Sequence, residues 1–254
     1  MNGYLVFAAK EAKEILRTWR IWVLPAIVLF FSVSGPFLAR YTPQIVGAVA
    51  GAQLGHLTLP PATYLDSYSG WIKNLSQITL FAIIIIYGGI VSSEVSNGTA
   101  LLVLTKPLSR VAFVAVKVAV NSAFVAVLLG VGTLVTWAIT AAIFGKAPSG
   151  PLWSGALVWL VLAIFYLALM TLLSVAIGSA AGAAGAGIGA FALLSVAGIW
   201  KPLSNYSPAG LAGHAATLAA DTATSSVFWP VLTSLAGSVV LAGIAALAFR
   251  RKEL

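Results

Sequence analysis

The chain has 254 residues, 60% of them hydrophobic and 8% charged, with a formal net charge of +8 and a mean hydropathy of +1.02. A soluble domain carries about 25% charge, so this composition excludes an ordinary soluble fold, leaves no room for a sizeable soluble domain and points to several membrane spans. On such a chain basic charge reports topology rather than nucleic-acid binding, and the lack of cysteine excludes disulfides and thiolate metal sites.

The chain opens with "MNGYLVFAAKEAKEILRTWR", four cations and two further acids ahead of the first apolar run. A cleaved signal peptide would carry its apolar core closer to the start, so the segment is read as retained. Residues 4–19 are predicted to form an interfacial helix within residues 1–19. At about 100° per residue, Leu5, Ala8, Ala12, Leu16 and Trp19 share one face, while Lys10, Lys13, Glu14 and Arg17 share the other. Lys13, Leu16, Arg17 and Trp19 mark the two faces where this helix fuses to the first span.

Six transmembrane helices are expected, over residues 20–39, 73–92, 111–143, 152–178, 183–200 and 228–249. Residues 147–200 contain no charge and would form about 80 Å of helix, far more than a hydrocarbon core of roughly 30 Å, so they must turn back once. The weakest helix former there is "GSAAGAAGAGIG", residues 178–189. Its small residues four apart, Gly178 with Gly182 and Gly185 with Gly189, fit close helix packing. "GAGIGA" at 185–190 follows a span rather than a strand, and no acidic residue follows at the distance a dinucleotide fold requires.

With the N-terminus inside, ten cations fall on the cytoplasmic face, and Arg40, Lys73, Lys146 and Lys201 fall outside. This satisfies the positive-inside rule and places both termini in the cytoplasm, with the chain in the cytoplasmic (inner) membrane. Residues 40–72 and 201–227 are then long extracytoplasmic segments. The second, moderately apolar, fits a short helical pair.

No P-loop is present. No acidic residue falls in mid-span, and Lys117 reads as a lysine whose ammonium reaches back to the cytoplasmic interface. His56, Asp66, His214 and Asp221 match no metal-ligand spacing, so no metal is expected. Nothing specifies a catalytic pair.

One stretch stands apart, "SSEVSNGTALLVLTKPLSR" between two apolar segments, residues 92–110. Glu94 closes the second span and reads as an exposed charge. Asn97, Gly98 and Thr99 form a turn with Thr99 as a helix cap. "ALLVL" gives a short apolar helix, ended by Lys106 and Pro107, and Pro107 can open the next helix. Such a knob fits a groove on another protein or packs beneath its own bundle.

The same stretch, extended through "VAFVAVKV", resembles the cytoplasmic segment of ABC-2-type permeases, the membrane subunits of one class of ABC exporters. Glu94, Gly98, Thr99, Leu101, Leu102, Leu104, Lys106, Pro107, Ser109, Arg110 and Lys117 fall on that family's pattern. The resemblance implies an all-α polytopic membrane protein with an elbow helix and six spans. It implies a non-catalytic permease subunit of an exporter, paired with a second permease subunit as a homodimer or heterodimer. Two copies of a separate cytoplasmic ABC ATPase would bind ATP and Mg, and this chain would hold no cofactor. Nucleic acid is not a partner; membrane lipid is. Two alternatives remain: a force-transmitting subunit acting on an extracytoplasmic partner, suggested by residues 40–72, and an ion-coupled transporter or intramembrane enzyme.

Overall fold

The computed structural model describes residues 3–54, 60–99, 109–223 and 225–251. Every regular element among them is helical. Six helices are long and apolar enough to cross a membrane, the architecture of a polytopic membrane protein.

Helix α1 (Gly3–Arg17) is followed by α2 (Arg20–Leu54). Pro25, Pro36 and Pro43 lie inside α2 without ending it. A proline frees the carbonyl four residues earlier. For Pro36 that is the Ser32 carbonyl, which accepts a hydrogen bond from Thr136 Oγ1 on a neighbouring helix at 3.4 Å. Repair of this kind lets prolines persist in membrane helices. Residues 40–72 are largely helical, since α2 runs to Leu54 and the next helix, α3, starts at Tyr64. Thr63 and Asp66 form a capping box at that start, the Asp66 carboxylate accepting from Thr63 N at 2.7 Å.

The second membrane-length helix, Tyr64–Ser96, is the most buried. It comprises α3 (Tyr64–Asn74), a π-helical turn (Leu75–Thr79), α4 (Leu80–Tyr87) and, after a turn, α5 (Ser92–Ser96). Tyr68, Trp71, Ile72, Leu75, Leu80, Ile83, Ile84 and Tyr87 place it in the buried core of the bundle. Helix α6 (Arg110–Phe144) sets a polar stripe against it: Trp71 Nε1 donates to Thr133 Oγ1 at 3.3 Å, and the Ser67 and Thr140 hydroxyls lie 2.7 Å apart. At Gly132 a Cβ would meet Val28 at 2.6 Å and Trp71 at 2.7 Å, so the absence of a side chain is what brings α2, α3 and α6 together.

Helix α7 (Ser149–Ile177) ends at Gly178, whose φ of 74° is the left-handed stop glycine supplies readily. Ser179 then caps α8 (Ala180–Ala197), accepting from Gly182 N at 3.1 Å. The reversal is therefore confined to Gly178 and Ser179, and the remaining Gly/Ala stretch is helix. The packing contact is also displaced from the expected residues. A Cβ on Gly185 or Gly189 would meet nothing within 4 Å, and one on Gly182 would meet only the adjacent Ser179 and Ile177. Gly187 is the close approach, where a Cβ would lie 2.4 Å from Met170 Sδ and 2.8 Å from Ile84 Cγ2.

After α8 come α9 (Lys201–Tyr206), a 3-10 turn (Pro208–Gly210), α10 (Leu211–Ala219) and α11 (Phe228–Arg250). The short helices pair as the sequence suggested. Helix α10 packs on α7, where a Cβ on Gly155 would lie 2.7 Å from Ala215 O. His214 is buried between them, Nε2 at 3.2 Å from Ser204 O and Nδ1 at 3.4 Å from Ser225 Oγ. It serves as a bridge within the hairpin.

Candidate functional site

Helix α1 has three faces. Leu5, Leu16 and Trp19 are exposed on the apolar one, and Lys13 and Arg17 are exposed on the basic one. The third, Phe7, Glu11 and Ile15, is buried against the bundle. Periodicity shows the first two, but a ring, a carboxylate and an aliphatic chain in one row give no signal for the third.

Phe7 begins a ring stack. Its centroid lies 5.2 Å from Phe113 of α6, which lies 5.1 Å from Phe249 of α11. Aromatic pairs at this spacing add to burial itself. The stack clamps α1, α6 and the last turn of α11 at one end of the bundle.

A charged cluster lies beside the stack. The Lys117 ammonium is 3.0 Å from both Glu11 carboxylate oxygens and 2.9 Å from Glu94 Oε1. Lys10 Nζ reaches the same Glu94 oxygen at 2.8 Å, Glu11 Oε1 at 3.1 Å and Glu14 Oε2. Lys117 and Glu11 are 1% and 2% exposed. Two expectations are thus corrected. Lys117 does not extend to the interface; it is buried between two carboxylates. Glu94 is not an exposed charge; it is buried at the joint of α1, α5 and α6.

The cluster holds three carboxylates and two ammonium groups. The carboxylates of Glu11, Glu14 and Glu94 converge closely enough for a metal ion, but the lysines occupy the space between them, and the pairing is Coulombic. Among the described residues, buried Glu94 Oε2 and Asn121 Oδ1 have no donor, which leaves the surroundings rich in acceptors. Burial lowers the affinity of the Lys10 ammonium for its proton, but hydrogen bonds to Glu14 and Glu94 and the field of Glu11 outweigh this and hold it above the usual lysine range.

The stretch from Ser92 to Arg110 is pinned at both ends. On the entry side, Ser174 Oγ of α7 accepts from Val91 N at 3.1 Å and Ser92 N at 3.0 Å. Gly98 has φ 71°, as the expected turn requires, and Thr99 Oγ1 donates to Glu94 O at 3.2 Å, closing the turn back on α5. On the exit side, Ser109 caps α6, accepting from Ala112 N at 3.1 Å, so that helix opens at Arg110 rather than at Pro107. Arg110 Nη1 donates to Phe249 O at 3.1 Å and Arg250 O at 3.0 Å, placing a cation on the negative end of α11. Leu101, Leu102, Leu104, Lys106 and Pro107 lie outside the described residues.

Fold and site together define a multi-pass helical membrane protein with a buried ionic joint at one end of the bundle. The profile of the family described as Protein of unknown function (DUF2705) matches residues 60–212, more than half of the chain, and the chain belongs to that family. The match includes Glu94, Arg110 and Lys117. No curated protein matches the chain.

Proposed function

We propose that the chain is the permease subunit of an ATP-driven transporter of the ABC-2 kind, an exporter whose ATPase is a separate subunit. The observation that carries this reading is the meeting of Glu94 and Lys117 at 2.9 Å, joined there by Lys10 and Glu11 of α1. Two charged positions of the permease-like pattern, set apart in sequence, thereby fix the entry and exit of residues 92–110 to one another and to the elbow-like helix. A segment anchored this way passes a push from a cytoplasmic partner into α1, α5 and α6 at once. In this reading the cluster faces the cytoplasm of an inner membrane, both termini lie there, and a second permease subunit completes the path.

The test is affinity purification of the intact chain from its native membranes, with identification of co-purifying P-loop ATPases and measurement of ATP hydrolysis. A stoichiometric ATPase is expected, lost in Leu102→Arg, because an unpaired charge in an apolar contact costs several kcal/mol. A correctly inserted chain that brings down no ATPase refutes the proposal, as does Leu102→Arg with full complex and activity.

A further inference from the structure

Arg40, Lys73 and Lys117 lie inside membrane-length helices, away from their ends. Lys117 is paired with Glu11 and Glu94, and Arg40 sits over the Phe144 ring at 5.9 Å. Lys73 has no carboxylate, ring or carbonyl partner among the described residues. It opens into a groove of about 500 Å³ between α2 and α3, at the end of the bundle away from the ionic joint. Gly35, Leu38, Ala39 and Pro43 line one side of the groove, and Gly70, Lys73 and Asn74 line the other. Asn74 directly precedes the π-helical turn at Leu75–Thr79, a distortion found frequently at functional sites. An unpaired ammonium on a spanning helix is costly and marks a site.

Few donors converge here. The Thr42 hydroxyl is spent on Leu38 O, and Asp66, which also lines the groove two turns before Lys73, is a carboxylate that donates nothing and accepts from Thr63 N and Oγ1. That leaves the Lys73 ammonium and the Asn74 amide, too few to replace the hydration shell of a small inorganic anion. The apolar wall supplies the rest: Leu38 lines the groove, and Phe37 and Tyr41 beside it are exposed. We infer that this groove binds an amphiphile, its anionic headgroup on Lys73 and Asn74 and its apolar chain along α2. The inference holds whether or not the chain couples to an ATPase.

The experiment counts lipid retained by the purified chain in neutral detergent, by native mass spectrometry, after exposure to phosphatidylglycerol or phosphatidylcholine micelles. Wild type should retain phosphatidylglycerol preferentially. Lys73→Ala should lower that retention about fivefold, the value of one lysine near an anionic surface. Lys73→Arg should restore it, which separates loss of the cation from loss of fold. Lys146→Ala, another exposed lysine, should leave it unchanged. Equal loss in Lys146→Ala would show diffuse attraction and overturn the inference, as would equal retention of the two lipids by wild type. Displacement of phosphatidylglycerol by millimolar inorganic phosphate would show a plain anion site and overturn the amphiphile.

Discussion

Lys117→Met removes the central cation of the ionic joint while keeping the length and apolar stem of the side chain. Three contacts vanish: two to Glu11 at 3.0 Å and one to Glu94 at 2.9 Å. Only Lys10 then faces Glu11, Glu14 and Glu94, and its side chain is 38% exposed. Removing one partner of a buried pair costs about 3–5 kcal/mol, because the other charge remains buried, so the folded-to-unfolded equilibrium constant should fall at least a hundredfold. Charge exchange, Glu11→Lys with Lys117→Glu, should not rescue it. The new lysine would adjoin Lys10 and the new carboxylate would adjoin Glu94. Glu11→Leu combined with Lys117→Met removes the Glu11–Lys117 pair, leaves Lys10 to face Glu94 and Glu14, and should recover most of the loss. The assay is equilibrium unfolding in mixed micelles, read beside cysteine labelling at position 13 to report whether α1 stays docked. A Lys117→Met protein as stable as wild type, or a double variant no better than the single, would refute the reasoning that this pair is buried and matched.

Phe113→Ala should cost about 3–5 kcal/mol, more than Phe7→Ala, since Phe113 stacks on both Phe7 and Phe249; thermal unfolding of the purified variants orders them. Gly187→Leu should prevent recovery of a monodisperse protein through overpacking against Met170 and Ile84, whereas Gly185→Leu and Gly189→Leu should be recovered normally, because nothing lies within 4 Å of either position; size-exclusion profiles distinguish them. The Lys10 ammonium is held above its usual range, so its contribution is complete below the ordinary lysine range and lost only as pH rises past the elevated value. The stability difference between wild type and Lys10→Met should therefore stay constant from neutral to mildly alkaline pH, and a difference that shrinks over that interval would contradict the sign.

Much of the fold is legible in the sequence because hydropathy along a membrane chain is a one-dimensional signal. The six spans follow from it, and Gly178 and Ser179 mark a reversal inside the uncharged stretch. The errors arise where the deciding partner lies elsewhere in the chain. The first span is expected to end at residue 39, yet α2 runs on through Pro43 to Leu54, and Thr136, far along the chain, satisfies the carbonyl that Pro36 frees. In a Gly/Ala-rich helix nearly every face is small, so the sequence cannot show that Met170 and Ile84 press on Gly187 rather than on Gly185. Lys117 looks like an interfacial lysine because its acid, Glu11, lies 106 positions away.

The second membrane-length helix is a jointed linkage. Its π-helical turn at Leu75–Thr79 and the turn between Tyr87 and Ser92 interrupt the regular ladder twice, so a thrust delivered at α5 cannot travel to Tyr64 as it would along a stiff rod. It meets Ser174 first, whose hydroxyl holds the Val91 and Ser92 amides. It meets the start of α8 as well, where a Cβ on Gly88 would lie 2.6 Å from Ala180 O. Displacement of α5 should therefore be deflected sideways into the α7–α8 reversal, with Ser174 as the pivot pin. Ser174→Ala would loosen that pin, and spin-label distances between α5 and α7 should then broaden while those between α3 and α6 keep their wild-type width.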